Sequence, residues 1–183
     1  MREHKLLSAY RGCRGTPQPH EGHIIIDAPN LMWGMDGSRI LTLEDGWGWL
    51  FGTMKYWNAE CVGWHVSKSD SRFEALQPVA MGLTEIFRGA GPDVARGLAL
   101  HLDHGSQYLS DHFLRQTHFH GITPSFASVS KPQNNGVVER FFRPLKEQPI
   151  YGRLFNQIEK VRAAADALVV TYNSNVAWKS WAS

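Results

Sequence analysis

Three carboxylates in this sequence stand where they could take part in chemistry. Asp36 lies inside the strand-like stretch WGMDGS, and an acid in mid-strand is costly to bury unless it is paired or bound to a metal. Asp103 follows the short apolar run Leu98-Ala99-Leu100-His101-Leu102, within HLDHGSQY. Glu139 stands 36 positions after Asp103, within the basic segment KPQNNGVVERFFRPLK. Each acid also has an ordinary explanation. Asp36 could sit in a turn or an edge strand. Asp103 could open a turn or cap the helix that follows. Glu139 could pair with Arg143 one turn later. As a set, two strand-associated aspartates and a helical glutamate weaken the ordinary explanations, and for Glu139 a metal ligand beside a DNA-phosphate site is the other option.

The helix that opens near Glu139 has two faces. At about 100° per residue, Arg143 falls about 40° from Glu139, and Lys146 about 20° from it on the other side. Val138, Phe141, Phe142 and Leu145 lean to the opposite face and are expected to pack on a core. The acid can then face metals while its basic neighbours face phosphates; a solvated helix face is the alternative for Arg143 and Lys146. Pro144 removes a backbone donor inside this helix and is expected to bend it. His101 and His104 flank Asp103, where local packing is the expected role. His118 and His120 diverge on a helix and make no metal site. Trp33, Trp47, Trp49, Trp57 and Trp64 lie in strand patterns and are expected in the core.

Several elements must hold these residues in place. MWGMDGSRILTL reads as a strand and ends at the hairpin signal Glu44-Asp45-Gly46. WGWLFGTMKYW and ECVGWHVS read as second and third strands of an antiparallel meander. Phe73, Leu76, Ala80, Leu83 and Phe87 recur at helical spacing, with Pro78 expected to kink or delay that helix. A buried strand is expected over residues 98–102, a helix over 106–118, and a short extended segment from Gly121. The Glu139 helix follows, then a last amphipathic helix with Ile158, Val161, Ala165, Leu168 and Tyr172 on one face. This order predicts an α/β domain with a mixed sheet and helices packed on it. Ligands of such sheets usually sit at strand carboxyl ends, the kind of place Asp103 occupies.

Composition narrows the class. The 183 residues are 43% hydrophobic and 20% charged, which suits one globular domain with a real core. A net charge of +2 is no nucleic-acid signal in itself, so any DNA surface must rest on where the charge sits. Cys13 and Cys61 form no disulfide framework and read as reduced thiols. No apolar run approaches a membrane span and no signal peptide is evident, so a cytoplasmic protein is expected. Residues 1–30 read as a basic arm, 31–175 as the core and 176–183 as a tail.

HLDHGSQYLSDHF followed by KPQNNGVVERFFRPLK resembles the integrase catalytic core of bacterial insertion-sequence transposases. These are DDE enzymes, related in fold to retroviral integrases and ribonuclease H. PNLMWGMD is similar to the family's first-acid motif, and DGWGWLF and ECVGWHVS to the strands after it. The resemblance runs from about Asn30 to Asn173. It implies a ribonuclease-H-like α/β fold, with a mixed five-stranded sheet and helices on both faces. It implies that Asp36, Asp103 and Glu139 are the catalytic acids and the ligands of Mg²⁺ or Mn²⁺, with two ions in the site. Two divalent metals about 3.5–4 Å apart can activate an attacking oxygen and stabilise a leaving one, and Mg²⁺ favours carboxylate oxygens. The implied reaction is metal-assisted cleavage by water, followed by attack of the freed 3′-hydroxyl on target DNA, with no covalent enzyme intermediate. Lys131, Gln133, Asn134 and Asn135 fall in the loop that the resemblance places on DNA, with Arg143 and Lys146 beyond it; Asn134 or Asn135 would also suit a helix cap. Implied partners are transposon ends, target DNA and further copies of the chain.

Some positions depart from the pattern. Lys55 stands where relatives often carry an aspartate and is expected to alter the sheet near the metals. Ser38 replaces a common threonine, a mild change. The family's helix-turn-helix region does not fit in the opening arm, which implies a catalytic fragment served by a separate helix-turn-helix partner. Two alternatives remain open: a catalytically silent DNA-binding or oligomerisation fragment, and a ribonuclease-H-like nuclease acting on RNA–DNA hybrids.

Overall fold

A computed structural model describes residues 26–127, 136–147 and 155–181, with the backbone course alone for 144–147 and 176–181. Most of the expected arm, Cys13, and the loop residues Lys131, Gln133, Asn134 and Asn135 lie outside the described residues.

The elements are β1 (Met32–Thr42), β2 (Gly46–Lys55), β3 (Cys61–Ser67), α1 (Arg72–Phe87), β4 (Ala99–Leu102), α2 (Asp111–Phe119), β5 (Thr123–Phe126), α3 (Gly136–Glu147) and α4 (Ile158–Trp181). Their order is the expected one. The sheet runs β3-β2-β1-β4-β5. β1, β2 and β3 pair antiparallel, while β1–β4 and β4–β5 are parallel. Gly46 closes the first hairpin at φ 72°, a left-handed conformation that costs glycine no Cβ clash. The parallel pairs need crossovers, which α1 and α2 supply.

Strand alternation sends side chains to two cores. Trp33, Met35 and Phe51 pack with Val79 and Leu83 of α1 and Phe113 of α2. Ile40, Leu50 and Met54 pack with Val138, Phe141 and Phe142 of α3 and Val161 and Ala165 of α4. Helices therefore cover both faces. α4 is tied to the sheet at both ends of its described part. The Asp45 carboxylate accepts from the Ile158 N–H at 2.8 Å. The Asn173 amide takes the Cys61 N–H at 2.9 Å and donates to the Cys61 carbonyl at 2.8 Å.

Several local expectations are corrected. α1 runs through Pro78, which is buried against β3; a Cβ on Gly63 would collide with the Pro78 carbonyl. Phe73 is 51% exposed because the buried stripe of α1 is Ala75, Pro78, Val79, Gly82 and Leu83. α2 starts at Asp111, five residues later than expected, because Ser110 caps it by accepting from the Phe113 N–H. Trp47 and Trp57 are exposed, not core. Trp57 follows β2 in a turn, and Trp47 lies at the hairpin end of the sheet, where Arg39 stacks on it at 4.4 Å. α3 continues through residue 144 to Glu147.

Candidate functional site

Asp36 lies on β1, and Asp103 directly follows β4, the strand that pairs parallel with β1. β1 and β4 pair Met32 with Ala99, Trp33 with Leu100 and Gly34 with His101. The pairing ends there: Asp36 lies two residues further along β1, and Asp103 is the first residue past β4. Asp36 is opposite Gly52 on β2. A Cβ on Gly52 would lie 3.0 Å from Phe141 and 3.3 Å from Phe142. Cross-strand partners share a face, so Asp36 points to the side of the sheet that α3 covers.

Backbone donors orient both carboxylates. The Gly37 N–H donates to Asp36 Oδ1 at 2.7 Å, and the Gly105 N–H to Asp103 Oδ1 at 2.8 Å. Asp103 thus does open a turn, as one ordinary explanation has it, while the helix cap is Ser110. Asp36 is half-buried and Asp103 exposed. Both charges are felt by the buried Tyr108 phenol. Burial pushes that group well above its ordinary pKa, and Asp36 and Asp103 push it the same way.

Glu139 reaches this side of the sheet from the first turn of α3 and is exposed. Val138, Phe141 and Phe142 seat that helix on the sheet, at 0%, 0% and 2% exposure, which leaves Glu139 and Arg143 on its open side. Glu139 acts on a different phenol: burial, then the Glu139 charge, raise the pKa of Tyr56. The Tyr56 ring meets His101 edge-on at 5.9 Å. His101 is 3% exposed, and burial lowers its pKa, so it is a neutral packing group beside the aspartates. His104 packs on Phe126, 5.7 Å between ring centres.

The donors at Asp36 and Asp103 suit a hard divalent cation. They are carboxylate oxygens in fixed rotation, and they leave net negative charge beside a phenol that stays protonated. Among the described residues, no three Asp, Glu, His or Cys side chains stand close enough to enclose an ion. The structure therefore puts two of the three expected acids on or just past neighbouring parallel strands and the third on α3. Lys55 does not intrude. Its cross-strand partner is Trp33, which faces the opposite side from Asp36, and its ammonium pairs with Glu60 at 2.7 Å. The Lys146 side chain lies outside the described residues.

Tyr108 and Tyr56 border this site and were not singled out from sequence. Tyr108 ends HGSQY, so its place five residues after Asp103 was a readable signal. Nothing local marks Tyr56, whose neighbours come from β4 and α3.

A family model describing the integrase core domain matches residues 120–176. The transposase InsF of insertion sequence IS3A from Escherichia coli K12 is 30% identical over 135 residues, 74% of this chain and 44% of the relative. This chain thus spans less than half the length of that protein. The fold is shared with a simian T-cell lymphotropic virus intasome chain, at TM-score 0.59 and 17% identity, covering 85% of this chain and 54% of that one. It is shared also with the HTLV-2 integrase catalytic core domain in complex with magnesium, at TM-score 0.52 and 14% identity, covering 78% of this chain and 86% of that one.

Proposed function

Because this chain carries an integrase core domain, related in sequence to insertion-sequence transposases and in fold to retroviral integrases, we propose that it cuts and joins DNA strands during transposition. The observation that supports the reading is that Asp36 lies on β1 and Asp103 directly follows β4, the strand paired parallel with β1, each carboxylate accepting a backbone N–H. Asp36, Asp103 and Glu139 are the proposed ligands of Mg²⁺ or Mn²⁺, two ions in the working site. Bound there, the ions would polarise the scissile phosphate and activate the attacking oxygen. The chain's own part is to orient the aspartates, bring Glu139 over them from α3, and hold DNA along the open side of that helix. Arg143 and Lys146, with Lys131, Gln133, Asn134 and Asn135, are the proposed DNA contacts. Transposon ends and target DNA are the proposed substrates. The working unit is 31–175, assembled with further copies and served by a separate helix-turn-helix protein for end recognition. Among the described residues no helix is long and apolar enough to cross a membrane; a cytoplasmic site of action is proposed.

The separation of Glu139 from the aspartates favours a second reading, a catalytically silent DNA-binding or oligomerisation fragment. Supercoiled plasmid incubated with the purified chain and millimolar Mn²⁺ or Mg²⁺ decides between them. Nicking that Asp36→Asn, Asp103→Asn and Glu139→Gln each abolish is the expected result. DNA binding without nicking in either metal would leave the silent fragment standing.

A further inference from the structure

Trp47 and Trp49 alternate with glycine on β2, so both rings lie on one face of the sheet. Their cross-strand partners on β1 are Leu41 and Arg39. This is the face of Phe51 and Met35, opposite that of Asp36. Trp49 stacks on the fully buried Phe51, 6.0 Å between centres and 13° from parallel, and so is held by the core. Trp47 and Leu41 stay exposed. The Arg39 guanidinium lies across both indoles, 4.4 Å from the centre of Trp47 and 5.9 Å from that of Trp49. A cation is thereby set between two rings, one anchored and one open to solvent.

Charge and shape select the occupant. The acids of the adjacent hairpin turn are engaged: Asp45 with the Lys68 ammonium and the Ile158 N–H, and Glu44 with the Gln157 amide. The exposed arginine therefore gives the aromatic patch a cationic centre. Rings interleaved with arginine suit unpaired nucleic acid, whose bases stack on π faces and whose phosphates meet the cation. A duplex keeps its base faces inside its own stack. Placement agrees. The hairpin lies past the carboxyl end of β1, as Asp103 lies past that of the parallel β4, so both stand toward one end of the sheet.

We propose that Trp47, Trp49 and Arg39 form a stacking platform for single-stranded DNA, the unpaired part of a substrate cut at the acids. One base stacks on Trp47, on the side away from Arg39, and the guanidinium meets a neighbouring phosphate. Trp49 braces the stack against the core. The inference rests on the DNA-processing reading given above.

Fluorescence anisotropy with the full chain tests this, on an oligothymidylate of about 12 nucleotides, within ordinary single-strand site sizes, and on a duplex of equal length. Trp47→Leu keeps an apolar side chain and removes the π face. Its affinity for the single strand should fall about 10-fold, the scale of one lost base stack, with a much smaller loss on the duplex. Trp47→Phe should keep most of the affinity, and the urea midpoints of both variants should match wild type. Unchanged single-strand affinity in folded Trp47→Leu would overturn the proposal, and so would equal losses on single strand and duplex. Self-association that Trp47→Leu dissolves while single-strand affinity is kept would overturn it in favour of a second copy seated on the patch. Wild type that binds neither DNA overturns the parent reading and this inference together. Wild type that binds and nicks duplex DNA but ignores the single strand overturns this inference alone.

Discussion

The seam between β1 and β4 and the first turn of α3 contribute to one proposed site in different ways. At the seam, backbone pairing fixes β1 beside β4, the strands that lead into Asp36 and Asp103, and a peptide N–H holds each carboxylate. At α3, Glu139 is placed by three apolar side chains that seat a helix. A sheet register is discrete, so a strand residue is either level or a whole step away. A helix resting on side chains can shift by smaller amounts. Two acids of the site are thus set by hydrogen-bond topology and the third by packing.

The largest expected effect breaks the site at its seam. Asp103→Asn should lower metal-dependent nicking by more than about 100-fold, since even outer-shell losses cost about 10–100-fold, with thermal stability kept because Asp103 is exposed. The same change should abolish DNA-free Mn²⁺ binding, whereas Glu139→Gln should leave that binding largely intact and remove nicking. Equal loss of DNA-free binding in both variants would mean that the three acids already act as one cluster.

The face without acids should respond only in stability. Gly63→Ala drives a methyl into the Pro78 carbonyl of α1, and about 3 kcal/mol of destabilisation by urea unfolding is expected, at the upper end for overpacking. Mn²⁺ affinity measured on the folded fraction should not move. On the other face, Asn173→Ala strips both backbone partners from Cys61 and should cost about 2 kcal/mol. Burial holds the Cys61 thiol up at about 12, so wild type should resist a thiol reagent at neutral pH while Asn173→Ala reacts faster. A smaller change targets the α3 seat. Gly52→Ala crowds the ring ends of Phe141 and Phe142, and about 1 kcal/mol is expected from such an insertion beside side chains that can yield. Nicking should fall more than that loss explains if packing sets Glu139.

The smallest effect is electrostatic. The Lys68 ammonium, and then the Ile158 N–H, hold the Asp45 carboxyl below its ordinary value. Its contribution is complete above the unfolded carboxylate pKa and is lost as pH falls through the lower folded one. Unfolding midpoints should therefore drop on acidification below about 4, the ordinary carboxylate range, and Asp45→Asn should flatten that part of the profile. Lys68 is largely exposed, so salt should weaken the effect.

Legibility in the sequence followed the range of the interactions involved. The nine elements and their order were readable because alternation, helical spacing and the Glu44-Asp45-Gly46 turn are local signals. The buried face of α3 was readable for the same reason: Val138, Phe141 and Phe142 fall on one side of a helix whatever covers them. Errors arose where a distant element decides. Phe73 fits the apolar spacing of α1, but the face that α1 buries runs through Ala75, Pro78, Val79, Gly82 and Leu83. Trp47 fits a strand, but at the hairpin end its ring stays 53% exposed with Arg39 stacked on it. Pro78 looked disruptive until Gly63 on another strand made room for the helix. Lys55 looked like an intruder among the acids until the register turned it toward the opposite face and gave it Glu60.

The sequence by itself determined which side chains could do chemistry here and the kind of element each rides on, because residue type and periodicity are properties of neighbours along the chain. Tertiary structure alone decided that β1, which carries Asp36, pairs in parallel with β4, which leads into Asp103, and that Glu139 arrives from a helix seated by packing. Those relations depend on strand register and helix seating between segments far apart in sequence, which hydrogen bonds and core contacts settle only when the whole sheet forms.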